Sequence, residues 1–175
     1  GTKYFVVNDS STGSTREKTF EHALDGTGGE NYQLSSGNTA PRGAATTAAG
    51  SKVWVVDANK MVYVYDAGGT LLGSWSAGGL ASNATPEGIA TNGTDIWIVD
   101  AQQDKVFKYT NAASRTSGSQ NAASSLNLAS GNADPKDLVT DGTSIWVVND
   151  AGTDKVFKYN LAGTLLGSWT ISTSG

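Results

Sequence analysis

The 175-residue chain contains no cysteine, which excludes disulfides, zinc–thiolate sites and cysteine nucleophiles. It has one histidine, His22, so most metal-triad and Ser-His-Asp readings fall away with it. Charge is also scarce. Only 16% of the residues are charged, against about 25% in an average domain, and the net charge is −4. A mildly acidic chain without a basic stripe lacks the electrostatic footprint of a nucleic-acid binder. No apolar run approaches the roughly 20 residues that cross a bilayer, so membrane insertion is not expected. The first residues show no secretory-leader pattern, and no phosphate loop, Gly-x-Ser-x-Gly elbow or His-Glu-x-x-His motif occurs.

The hydrophobic fraction of 38%, taken with 22 glycines, is ordinary for a globular protein and argues against disorder. Gly, Ala, Ser, Thr and Asn occupy the place that charge would hold. That balance favours turns and short strands over long salt-bridged helices.

The decisive feature is an internal repeat. Four segments open alike: Tyr4-Phe5-Val6-Val7-Asn8-Asp9, Val53-Trp54-Val55-Val56-Asp57, Ile96-Trp97-Ile98-Val99-Asp100 and Ile145-Trp146-Val147-Val148-Asn149-Asp150. Their aromatic residues are 43 to 49 positions apart, and Pro41, Pro86 and Pro135 recur at 45 and 49. Each proline leads a half-apolar run that ends in a turn such as Asn92-Gly93-Thr94 or Asp141-Gly142-Thr143. Asn-Gly and Asp-Gly tolerate the positive φ of tight hairpins. The apolar run around the tryptophan is too short for a helix and suits a strand buried on both faces. A third strand alternates with period 2, putting Phe107 and Tyr109 on one face and Val106 and Lys108 on the other. A more variable fourth strand includes Leu71–Ser76, Leu126–Leu128 and Leu165–Thr170.

Four strands in each such unit is the period of a β-propeller blade. The expected fold is therefore an all-β propeller of four-stranded antiparallel blades in one domain, 1–175, with units of about 3–40, 41–85, 86–134 and 135–175. Two longer loops, Ser10 to Lys18 and Asn111 to Ser125, read as blade insertions. The first unit begins at a second strand, so the chain is one innermost strand short of four full blades. Either an open fragment with exposed blade faces or a small closed ring is consistent with that count, and the open form predicts self-association.

The run Pro86-Glu87-Gly88-Ile89-Ala90-Thr91-Asn92-Gly93-Thr94 through Trp97 and Asp100, followed by Asp104-Lys105-Val106-Phe107-Lys108-Tyr109, resembles the NHL and SMP-30/streptogramin-lyase-like propeller repeats. It is most similar to those of large secreted or surface-attached bacterial repeat proteins. The resemblance covers nearly the whole chain. It implies an extracellular or cell-surface setting, and it is compatible with scaffolds, ligand binders and enzymes alike.

The recurring carboxylates Asp9, Asp57, Asp100 and Asp150 are the candidate ligand-binding residues. In a ring at the channel mouth they could hold calcium or a hydroxyl-rich ligand. The competing and favoured reading is that each accepts hydrogen bonds from its own turn backbone. His22, on the third strand of the first unit, has no partner at metal-ligand spacing. The lactonase and lyase constellations that the resemblance allows cannot be placed around it. The tryptophans at 54, 97 and 146 read as wedges between blades, as do Trp75 and Trp169 on the outer strand. Asn8, Asn83 and Asn92 head Asn-x-Ser/Thr triplets of the kind that composition alone produces.

The functional expectation is a non-catalytic extracellular module, a scaffold or binding surface for a protein or glycan, with no catalytic residues and no cofactor beyond the calcium considered above. The alternative is a channel-centred enzyme of the lactonase or lyase type.

Overall fold

The computed structural model describes residues 3–9 and 17–171. These form four small sheets arranged as the four blades of a β-propeller. The first blade has three antiparallel strands, β1 (Lys3–Asn8), β2 (Lys18–Ala23) and β3 (Gly28–Gln33). The second runs β4 (Pro41–Thr46), β5 (Lys52–Asp57), β6 (Met61–Asp66) and β7 (Leu71–Gly78) from inside outwards. The third contains β8 (Pro86–Thr91), β9 (Ile96–Asp100), β10 (Lys105–Tyr109) and, after an insertion, β12 (Ser124–Asn127). The fourth contains β13 (Pro135–Thr140), β14 (Ser144–Asn149), β15 (Lys155–Asn160) and β16 (Leu165–Thr170). Of the first predicted loop, residues 10–16 lie outside the described residues.

The second insertion is more than a loop. After a 3-10 turn at Ala112–Ser114, the strand β11 (Ser119–Asn121) runs parallel to Ser76–Gly78 at the end of β7, giving the second blade a fifth strand. Gly73, at φ +150°, permits this approach, because a Cβ there would run into the carbonyl of Thr116. Arg115 and Gln120 then lock the insertion, the guanidinium donating to the Gln120 amide oxygen at 2.9 Å and Gln120 donating to the Thr110 carbonyl at 2.8 Å.

The hairpins are set by their turn residues. Asn92 Oδ1 accepts from the amides of Thr94 and Asp95, and Gly93 takes φ +89°. Asp141 Oδ1 accepts from Thr143 and Ser144 in the same way, with Gly142 at φ +86°. Each hairpin is thereby fixed by local bonds, independently of the core.

Packing between blades is repetitive. Each blade has a back, the face that looks towards the next blade, and a front on the opposite side. The back of the second blade, with Trp54, Val56, Val62, Val64 and Trp75, is buried against Ile89, Ile96, Ile98, Phe107 and Tyr109 of the third. The back of the third, with Trp97, Val99 and Val106, is buried against Leu138, Ile145, Val147, Phe157 and Tyr159 of the fourth. Phe5 and Val7 of the first blade pack on the front of the second, where Val53, Val55, Tyr63 and Tyr65 lie. The tryptophan strands β5 and β9 are accordingly buried almost throughout, whereas β1 and β14, in the end blades, are not. The innermost strands neighbour one another in the order β4, β8, β13, with β1 beside β4.

Candidate functional site

A propeller's natural site is its axial channel, and here the innermost strands β4, β8 and β13 build it. Each opens on a proline, which restricts the chain to an extended entry. Two residues later stand Gly43, Gly88 and Asp137. The glycines allow close contact between the strands. A Cβ on Gly43 would lie 2.8 Å from the Cα of Gly88, and one on Gly88 would lie 2.8 Å from the Cα of Asp137. The channel cavity of about 220 Å³ is lined by aliphatic side chains of the three strands and by Thr46, Thr91 and Thr140, with Asp137 its one carboxylate.

Asp137 was not among the residues singled out from the sequence. It is the one member of the Pro-x-Gly series that departs from glycine, and that departure is the signal that could have found it. Its Oδ1 accepts from the Leu138 amide at 2.8 Å. The residue keeps solvent access, yet its carboxyl sits against the neighbouring innermost strand at Gly88. Loss of hydration there outweighs the amide bond and pushes it up to about 6.

The four aspartates expected to form a ring do not share one position. Strand register sets Asp57 opposite Pro41, Asp100 opposite Pro86, and Asn149, not Asp150, opposite Pro135. Aligning the repeats through their tryptophans puts Asn8 rather than Asp9 at the same place in the first blade. Asp9 and Asp150 are the next residues along, and both are exposed. The shared position performs a definite task. Asp57 Oδ2 accepts from the Ala40 amide at 2.9 Å, Asp100 Oδ1 from Thr85 at 2.7 Å, and Asn149 Oδ1 from Asp134 at 3.0 Å. Each donor is the residue immediately before the proline, so each side chain clamps the entry of the innermost strand to the exit of the second. Asp57 and Asp100 also accept from their own turns, at Asn59 and Gln102. Among the described residues, no three His, Asp or Glu side chains are grouped as a metal site.

A second recurring device was also missed. Asn38, Asn83 and Asn132 each precede a proline by three residues. Asn38 and Asn132 are fully buried and donate through Nδ2 to the hydroxyls of Tyr65 and Tyr159, at 3.2 Å in each case. The same hydroxyls accept from the amides of Ser35 and Ala129 at 3.0 Å. Each tyrosine, on a blade's third strand, thus holds the loop that leads into that blade. Asn83 is exposed, and in its blade the Tyr109 hydroxyl donates to the Gly78 carbonyl instead.

His22 is half-buried on β2, its ring stacked on Tyr4 with centroids 5.2 Å apart. A separate cleft of about 350 Å³ opens between the first two blades, lined by Lys3, Phe5, Glu21, Glu30, Tyr32 and the turn that ends in Gly50. Lys3 pairs with Glu21 across it. The Tyr32 hydroxyl donates to Glu30, which pushes the phenol up to about 12. At the opposite end of the third blade, burial opposes ionisation of Asp95. Lys108 at 2.8 Å and the Asn111 amide outweigh it and hold the carboxyl below its usual range.

No family model matches the chain, and no curated protein matches it. Solved structures do. A chain of the nidogen/laminin complex superposes with a TM-score of 0.60 at 18% identity, covering 87% of this chain and 55% of that one. Glutaminyl cyclase of Myxococcus xanthus gives 0.58 at 11%, covering 81% and 54%. Hydrazine synthase of Kuenenia stuttgartiensis gives 0.56 at 15%, covering 88% and 43%. The likeness supports the β-propeller fold, and the chain spans about half the length of the structures it matches.

Proposed function

We propose that this chain is a non-catalytic propeller module that acts as a scaffold and as a binding surface for a protein or a glycan. The observation that carries the reading is the use to which its recurring polar residues are put. Asp57, Asp100 and Asn149 clamp strand entries, and Asn38 and Asn132 serve the tyrosine latches. Side chains that hold the strand entries of three blades and the entry loops of two organise the repeat for rigidity. Rigid propellers present ligands with their loops and clefts, here the Lys3–Glu21–Glu30–Tyr32 cleft and the channel-mouth loops. The resemblance to NHL and SMP-30/streptogramin-lyase-like repeats supports a setting at the cell surface or outside the cell. The match to a chain of the nidogen/laminin complex agrees with a protein-binding role.

One observation favours the alternative, a channel-centred enzyme. Asp137 stands alone in the channel with a carboxyl raised to about 6, and raised carboxyls mark general acids. The experiment that separates the two readings is a screen of the immobilised chain against protein and glycan arrays, run beside turnover assays with lactones and esters. Saturable binding that survives Asp137→Asn supports the module. Turnover abolished by Asp137→Asn would overturn it.

A further inference from the structure

The chain fills a particular space at one blade boundary and leaves the matching space open at another. Where the second blade meets the third, the 3-10 turn at Ala112–Ser114 occupies that space. Ala112 and Ala113 are buried in one cluster with Trp54, Val64 and Trp75, and the Ala113 amide donates to the Thr94 carbonyl at 3.0 Å. Register identifies the same positions in the first blade. Phe5 pairs with Glu21 as Trp54 pairs with Val64, and Tyr32 holds on β3 the place that Trp75 holds on β7. Ala67 stands two residues after Tyr65, as Asn111 stands two after Tyr109. Phe5, Glu21, Tyr32 and Ala67 all line the cleft of about 350 Å³ between the first and second blades. There the second blade turns back at once, the Gly69 amide donating to the Asp66 carbonyl at 3.1 Å, and no insertion enters the cleft.

The lining differs in chemistry. Val64 and Gly73 of the second blade give way to Glu21 and Glu30 in the first. Lys3 pairs with Glu21, while the exposed Glu30 takes the Tyr32 hydroxyl. Two carboxylates thus face one ammonium, and the field of Asp66 also reaches the Tyr32 hydroxyl. We propose that this cleft takes a lysine or arginine side chain of a partner peptide, the cation meeting Glu30 and the stem lying against Phe5. The occupant is a peptide because the matching space at the next boundary already holds one, the chain's own Ala112–Ser114 turn. It carries a cation because carboxylates stand where valine and glycine make room for alanine. Carboxylates hold such cations through charge-assisted hydrogen bonds, and a basic side chain lays its methylene stem on apolar surface. The proposal rests on the binding-module reading above and gives one of its surfaces a ligand class.

Titration of the isotope-labelled chain with acetyl-Ala-Ala-Ser-Arg-amide, followed by amide chemical shifts, tests it. The peptide copies the chain's own occupant and ends on a cation. Saturable shifts are expected at Glu30, Tyr32, Gly50 and Ala67, which line the cleft. Glu30→Gln should weaken binding at least about tenfold, the scale of one charge-assisted bond, and so should glutamine in place of the peptide's arginine. Glu30 is exposed, so the variant keeps the fold; Ala49→Trp, which fills the cleft from an exposed turn position, repeats the test. Asp154→Asn, exposed on the fourth blade, should bind as the wild type does. Absence of saturable shifts in the cleft, or equal binding by the neutral peptide or by either cleft variant, would overturn the proposal. That failure leaves the module reading standing if the arrays still show saturable binding. Turnover abolished by Asp137→Asn would strike the module reading and leave the cleft's ligand class in place.

Discussion

Trp75 and Trp169 stand at the same point of their blades, opposite Val62 and Val156 respectively, yet Trp75 is fully buried and Trp169 half exposed. The difference lies in whether another blade covers the back of each. Trp75 meets the third blade, with the Tyr109 ring edge-on at 5.2 Å. Trp75→Ala should therefore cost about 3–5 kcal/mol in urea melts at any protein concentration. The loss caused by Trp169→Ala should be markedly smaller, because a half-exposed ring buries less apolar area. Equal losses at the two sites would contradict the packing described.

The strand-entry clamp makes a second prediction. The sequence alone suggests a loss of about 1 kcal/mol for Asp100→Ala, one turn hydrogen bond. The structure gives Asp100 two amide donors in a fully buried site, so the loss should be about 2–4 kcal/mol, counting two stranded donors. Asp100→Asn keeps an acceptor, as Asn149 does in the fourth blade, and should cost markedly less. Asp150→Ala, at an exposed position, should stay within about 0.5 kcal/mol of the wild type. Chemical denaturation of the three variants decides the ranking.

Asp137 sets the sign of a pH effect. Its carboxyl titrates at about 6 in the folded chain, above its ordinary value of 3.8. Between those values the folded state holds more protons than the unfolded one, so this residue's contribution to stability falls as pH rises and is level again above pH 6. Asp137→Asn should remove that decline and raise the melting temperature at about pH 7. Thermal scans from about pH 4 to about pH 7 would show it; an unchanged slope in the variant would assign the decline to other groups.

Tyr159→Phe and Tyr65→Phe each strand two donors, one amide and one buried asparagine. Each should cost about 1–3 kcal/mol. Tyr109→Phe removes a single bond to a carbonyl and should cost less. Melts of the three variants check the order.

Calcium in excess should leave the melting temperature unchanged. Asp57 and Asp100 already commit oxygens to backbone amides, and Asp9 and Asp150 sit one residue away from the shared position. A rise in melting temperature that Asp57→Asn abolishes would restore the carboxylate ring.

The period of the repeat made the blades legible, because strand alternation and Asn-Gly or Asp-Gly turns are local signals. Phe107 and Tyr109 do face one neighbour and Val106 the other. The site was less legible. Matching Asp150 to Asp57 relied on residue type, whereas register is set by hydrogen bonding, and that puts Asn149 in the clamp. Asn can accept the same bond as Asp, so chemical likeness misled where spacing from the tryptophan would not have. Asp137 escaped notice because what marks it is the glycine it replaces, and the crowding that demands glycine at Gly43 and Gly88 arises only when three distant strands meet. The parallel pairing of β11 with β7 had no local signal at all, since Ser119–Asn121 is polar and short.

That pairing has a consequence for the inheritance of the repeats. Between its third and fourth strands the third blade lends a segment to its predecessor, covering an outer edge whose counterpart in the fourth blade, β16, pairs with no further strand among the described residues. Excising the third unit at its prolines would therefore strip a strand from the second and unroof Trp75, and transplanting the second unit alone would create the same bare edge. The second and third units can be duplicated, deleted or shuffled only as a pair. In a chain that grew by copying one blade, the inserted segment marks the place where two copies ceased to be interchangeable.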